Sequence, residues 1–121
     1  MSFNLDLDDR ARFAALDRDH MLAHIDAFPD QLAAAWAAAQ AMPLPDTHRY
    51  PRQIVLAGMG GSAIGGDLTG ALIASSSAAS WAVVRGYDLP ACVQGPDTLV
   101  IASSFSGNTE ETLAAAKQAL G

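Results

Sequence analysis

Basic residues are scarce in this chain. Lys and Arg number seven against thirteen Asp and Glu, and the formal net charge is −6. No Lys/Arg cluster occurs anywhere in the sequence. That argues against a nucleic-acid-binding face and against adhesion to an anionic membrane surface, both of which need concentrated positive charge. Cysteine is nearly absent. Cys92 stands alone, so no internal disulfide can form and a reducing compartment is expected. With no His or Lys next to it, Cys92 reads as a small, half-buried loop residue rather than a reactive thiol. Long apolar runs are missing too: none approaches the ~20 residues of a membrane span. The opening residues, Met1 to Asp6, carry neither a basic nor an apolar leader pattern. These absences together imply a cytoplasmic protein.

What is present is ordinary globular material. Of the 121 residues half are hydrophobic and 17% are charged, enough for one domain with a modest core. The first 18 residues are weakly patterned, as helix or loose arm. From Asp19 the spacing turns helical, with Met21, Leu22, Ile25 and Phe28 on one face. Pro29 restarts the chain and Asp30 suits the positive end of a helix dipole. Residues 31–42 are strong helix formers striped by Leu32, Trp36 and Ala39, and Pro43 and Pro45 stop them. Residues 46–51 read as a linker. The expected division is therefore a helical lead-in over 1–50 and an α/β portion over 51–121.

Residues 53–57, Gln-Ile-Val-Leu-Ala, are almost continuously apolar, as in a parallel strand covered on both faces. A glycine loop over 58–61 and a helix over about 63–74 follow. A second strand spans 81–84 and a Gly/Pro-containing connection 86–97. A third strand at 98–102 leads to a helix over 109–120, with Leu113 and Leu120 on its inner side. This β-α-β-β-α order predicts right-handed crossovers in a parallel sheet. The expected class is a three-layer α/β fold with flavodoxin-like 2-1-3 strand order. It would be truncated after the third strand and its helix, because doubly wound sheets usually carry about five strands. The open edge would then pair with a second copy or with further chain.

Two loops stand out for their chemistry. The first is "GMGGSAIGGD", Gly58 to Asp67, at a strand-to-helix junction. Ligands of open α/β sheets bind at that edge. Its glycines allow sharp turning and close approach, the free amides of a helix start favour an anion, and Ser62 adds a hydroxyl. The same glycines could serve packing alone. The second is "SFSGNTEET", Ser104 to Thr112. Asn108 with Glu111 has the spacing of a capping box, and helix-start acids such as Glu110 and Glu111 are ordinarily caps. A cap does not need Ser104 and Ser106. In a 2-1-3 sheet the two loops are neighbours, and both aim a helix start at one point. A phosphate monoester could be held there by hydroxyls and amides without any cation. An alternative stays open: Gly58-x-Gly60-x-x-Ala63 also fits a dinucleotide fingerprint, with Arg85 at the second strand's end placed for a 2′-phosphate. A P-loop is excluded, since no Lys-Ser/Thr follows the glycines.

Taken together, the two motifs resemble the SIS, or sugar isomerase, phosphosugar-binding domain, and in particular the bifunctional phosphoglucose/phosphomannose isomerases. The likeness covers about residues 20–121, with both signatures inside 58–112. It implies phosphate binding by Ser62, Ser104, Ser106 and Thr109, with backbone from Gly60 and Gly61. Ala63 stands where glycine is often found and Phe105 where tyrosine is common; neither change touches the hydroxyl set. The resemblance implies an aldose–ketose isomerase acting on a sugar 6-phosphate without metal or other cofactor, and a homodimer. It also implies that the catalytic glutamate and arginine, and a histidine and lysine used in ring opening, come from segments not in this sequence, so that the chain alone would bind without turnover. A sugar-phosphate sensor of the same family is a second possibility, against which the acidic, alanine-rich lead helices argue. A fragment of an NADP-dependent oxidoreductase is a third.

Other features read more plainly. His20 and His24 have a metal-ligand spacing but no third partner, and a solvated reading is preferred. Trp36 and Trp81 read as core or interface anchors. Arg85 could reach a ligand or pair with Asp88, and Tyr87 shares that ambiguity.

Overall fold

The computed structural model describes residues 8–121. The expectations for the first seven residues lie outside that range. The chain divides into two compact units, with the boundary between Pro43 and Leu44.

The first unit holds three helices: α1 (Arg10–Leu16), α2 (Met21–Asp26) and α3 (Phe28–Ala41). Asp9 caps α1, its carboxylate accepting from the amides of Ala11 and Arg12 at 3.1 and 3.2 Å. Asp17 does the same for α2 from outside the helix. Its two oxygens accept from Met21 N at 2.7 Å and Leu22 N at 2.9 Å. Those bonds, the one from Leu22 foremost, hold its carboxyl below the usual carboxylate range. Helix α3 begins at Phe28, one residue before the expected restart at Pro29. Pro29 and Asp30 lie within its first turn, where a missing N–H breaks no bond and an acid meets the positive dipole end. None of the three helices buries a residue. Trp36 is two-thirds exposed, which removes the core half of its reading as a core or interface anchor.

In the second unit a 3-10 turn (Asp46–His48) precedes β1 (Gln53–Gly58), α4 (Gly60–Ile73), β2 (Ser80–Val84), β3 (Thr98–Ser103) and α5 (Glu110–Leu120). The sheet is wholly parallel with order β2-β1-β3, as the alternation predicts. Gln53 lies beside both Ser80 and Thr98, and Gly58 pairs with Ser103. β1 is central and buried from Val55 to Gly58, which is why its sequence is apolar on both faces. The outer sides of β2 and β3 carry no further strand among the described residues.

The core is built of small side chains. Val55, Ala57, Ala63 and Ala115 are fully or almost fully buried. Helix α4 comes close to the sheet through glycines. A Cβ on Gly66 would sit 2.9 Å from Leu56 Cδ2, and one on Gly70 would sit 2.5 Å from Cδ1 of Trp81. The indole fills that gap and its Nε1–H donates to Gly66 O at 3.0 Å. Trp81 therefore serves the packing role expected of it. Helix α5 turns Thr112 and Ala115 inward. This corrects the expected inner face: Leu113 is partly exposed and Leu120 almost fully so. Small residues, Thr112 and Ala115, make the close contact of α5 with the sheet, and Leu120 lies instead at the rim of an open space beside Leu99 and Val100.

Candidate functional site

Because Gly58 pairs with Ser103, β1 and β3 end at the same level of the sheet. A Cβ on Gly58 would lie 3.0 Å from the carbonyl oxygen of Ser103, so a larger residue here would press that carbonyl away. The two loops that follow start side by side.

The first loop is shorter than expected. Helix α4 starts at Gly60 rather than near Ala63, so Gly60, Gly61 and Ser62 form its first turn. Gly60 has φ +51°, a left-handed conformation that glycine adopts without strain. The amides of Ser62 and Ala63 turn back to Met59 O at 3.1 and 3.3 Å. The N-cap residue, Met59, has no side chain able to cap. The first amides of any helix lack an intrahelical acceptor; here they belong to Gly60 and Gly61. Ala63 is buried in the core and anchors the turn.

The second loop is organised by its own hydroxyls. Ser104 Oγ lies 2.8 Å from Thr109 Oγ1, and Ser106 Oγ lies 3.4 Å from each of the other two. Gly107 N donates to Ser104 Oγ at 3.1 Å, and Asn108 N donates to Ser106 Oγ at 3.2 Å. Gly107 turns the chain at φ +69°. The capping box expected of Asn108 and Glu111 is not formed. The N-cap is Thr109, and no side chain bonds the helix start. Ser106 takes the Asn108 amide and the three hydroxyls take one another, so the start of α5 is left uncapped like that of α4.

Met59, Gly61, Ser62, Phe105, Ser106 and Thr109 line one concavity of about 560 Å³. Ser104 is joined to it through Thr109, and Gly60 precedes Gly61 on the same turn. Arg85 does not line it. Its guanidinium pairs with the Asp67 carboxylate on α4, not with Asp88, which accepts from Gln118 Nε2 at 3.0 Å. Cys92 is exposed, which corrects its expected half-burial; the Gln53 amide reaches its sulfur at 3.9 Å. Tyr87 donates to Glu110 Oε2 at 3.4 Å. The charge of Glu111, with partial desolvation and Glu110, raises its phenol above the ordinary tyrosine range.

The chemistry available is that of a neutral cradle. Two helix starts each offer unpaired amides and a dipole worth about half a unit of positive charge. Three hydroxyl protons can swing from their mutual contacts onto an anion. Among the described residues no carboxylate, imidazole or amine lines the concavity, so the arrangement offers hydrogen-bond donors to an anion and no base. Neither apolar lining residue, Met59 or Phe105, is among the site residues expected from the sequence, where Phe105 is noted only for standing where tyrosine is common. The available signal was a large apolar side chain wedged between two serines.

Comparison with known proteins gives three relatives, each a bifunctional phosphoglucose/phosphomannose isomerase. The protein from Caldicellulosiruptor bescii is 41% identical over 91 residues, 75% of this chain and 26% of its own length. That from Thermoplasma acidophilum is 48% identical over 67 residues, 55% of this chain and 20% of its own. That from Thermoplasma volcanium is 42% identical over 67 residues, 55% of this chain and 21% of its own. The chain thus spans about a quarter or less of the length of the curated relatives it matches. No family model matches, and no solved structure matches. The likeness to these isomerases read from the two loops is met again in all three relatives.

Proposed function

We propose that this chain is the phosphate-holding part of an aldose–ketose isomerase that interconverts glucose 6-phosphate or mannose 6-phosphate with fructose 6-phosphate. In this reading residues 1–50 are a helical lead-in and 51–121 the first portion of a SIS phosphosugar-binding domain. Ser62, Ser104, Ser106 and Thr109 donate hydroxyl protons to the phosphoryl oxygens, and the amides of Gly60 and Gly61 complete the shell. The observation that carries the reading is the shared concavity. Ser62 from one loop and Ser106 and Thr109 from the other line a single space at two uncapped helix starts. The isomerase names of the three relatives supply the sugar.

Isomerisation also needs a base near C1 and C2 and a group that stabilises the enediolate oxygen. Neither lines the concavity, and we assign both to the greater part of the relatives' length that this chain does not span. The chain alone therefore binds the ester without turning it over. The protein is placed in the cytoplasm, with its open sheet edge against a second copy. The oxidoreductase and sensor readings gain no support: Arg85 is engaged by Asp67 rather than free for a 2′-phosphate, and no relative carries either name.

Amide chemical-shift titration of the chain with inorganic phosphate, fructose 6-phosphate and NADPH tests this. Shifts are expected at Gly60, Gly61, Ser62, Ser104, Ser106 and Thr109 with the first two ligands. Shifts with NADPH alone, or phosphate shifts confined to other residues, overturn it.

A further inference from the structure

We infer that Phe105 is a specificity-determining residue of this site, an aromatic wall on which the carbon-bound hydrogens of the ester's organic part stack while the phosphoryl group sits in the hydroxyl cradle. The inference rests on the phosphate reading above and adds what the ligand must carry beyond phosphate.

Phe105 is the most exposed large hydrophobic residue described, at 103% of its reference area. Its ring therefore does no packing in the fold. It sits between Ser104 and Ser106, whose hydroxyls face Thr109 and hold the turn in place. Two loop amides bond those same serines, and these bonds fix the backbone beneath the ring. A single exposed aromatic is unremarkable by itself. This one lines the same concavity as Ser62, Ser106 and Thr109.

The concavity consequently has two zones. Gly61, Ser62, Ser106 and Thr109 make a polar floor, and Met59 and Phe105 make an apolar wall. At about 560 Å³ the space matches a small organic ligand and far exceeds a bare phosphoryl group. An ester held by the hydroxyls has both apolar side chains in the same lining, within reach of its organic part. The face of an aromatic ring is electron-rich and attracts polarised C–H groups, and a sugar or polyol chain presents such groups along one side. A ligand with no organic part gains nothing from the wall.

Two ligands and three forms of the chain separate the zones. Wild type, Phe105→Ala and Phe105→Tyr are titrated with inorganic phosphate and with fructose 6-phosphate, followed by amide chemical shifts. Because the ring touches no core residue, thermal midpoints are expected to coincide. Phe105→Ala is expected to weaken fructose 6-phosphate by about fivefold and leave inorganic phosphate unchanged, while Phe105→Tyr keeps wild-type affinity for both. Equal weakening of both ligands, or of neither, overturns the inference. So does a change in sedimentation behaviour with ester affinity intact, which would make the ring a contact between copies. Failure of wild type to bind either ligand is a different result: it removes the phosphate reading itself, and this inference with it, before any variant is compared.

Discussion

Replacing Thr109 by Val keeps the shape of the side chain and removes one hydroxyl. Thr109 is the N-cap of α5, and loss of a capping Thr ordinarily destabilises by about 1 kcal/mol, or about 4–8 °C in a unit of this size. That loss is not expected here, because the Thr109 side chain makes no bond to the helix start. Its hydroxyl is spent on Ser104 and Ser106 instead. Those serines keep their bonds from Gly107 N and Asn108 N in the variant, so the loop retains its shape. Stability should move by well under about 1 kcal/mol. Binding should respond strongly. A hydrogen bond to a charged group is worth about 1.5–3 kcal/mol, so affinity for inorganic phosphate should fall about 10- to 150-fold. Ser62→Ala removes a hydroxyl from the other loop and should weaken phosphate comparably. Thermal melting and chemical-shift titration of the same samples give both quantities. If Thr109→Val lowers the midpoint by the full capping amount while phosphate affinity holds, its hydroxyl is structural and the cradle does not exist. If only one of the two variants weakens phosphate, the two loops do not share an anion.

Three further outcomes follow from the packing. Gly70→Ala places a methyl group 2.5 Å from the Trp81 indole and should destabilise by about 1–3 kcal/mol in urea denaturation. Gly65→Ala meets nothing within 4 Å and should instead stabilise by about 0.5–1 kcal/mol; the same sign for both would refute the close-packing account of α4. Thr112 has a buried hydroxyl without a hydrogen-bond partner among the described residues, so Thr112→Val should raise stability by about 1 kcal/mol, and a loss there would reveal a partner for it. Asp17, whose carboxyl is held below its ordinary range by the Leu22 and Met21 amides, supports α2 only when ionised. Its contribution is present above the unfolded carboxylate pKa and lost as pH falls through the lower folded value; the protection of the Met21 and Leu22 amides, relative to the intrinsic exchange rate at each pH, should fall at acid pH, and in Asp17→Ala at neutral pH.

The sheet was legible because its signal is local and strong. Residues 53–57 are apolar without alternation, which marks a strand covered on both faces, and the alternating order left few topologies for three parallel strands. Errors arose where two local rules competed. Glycines weaken a helix interior but are at ease in its first turn, so α4 began at Gly60 where a break was expected. Asn108 and Glu111 had capping-box spacing, yet Ser106 bonds the Asn108 amide and Thr109 takes the cap position. Helical periodicity put Leu113 and Leu120 inside, whereas close approach to the sheet selected Thr112 and Ala115.

The remaining misreadings share a different cause. The sequence offers Arg85 either a ligand or nearby Asp88, while its partner Asp67 lies 18 residues away on α4. No linear pattern encodes that pairing, because it depends on how α4 lies over β2. The candidate site depends on distance in the same way. Each loop's hydroxyls and glycines can be read in isolation, but what makes them one site is the Gly58–Ser103 register. A shift of one residue between β1 and β3 would leave both motifs intact in sequence and separate Ser62 from Ser106. Gly58 permits the observed register, since a Cβ there would lie 3.0 Å from the Ser103 carbonyl oxygen and force it to give. Whether the two loops meet therefore depends in part on a glycine that need not touch a ligand.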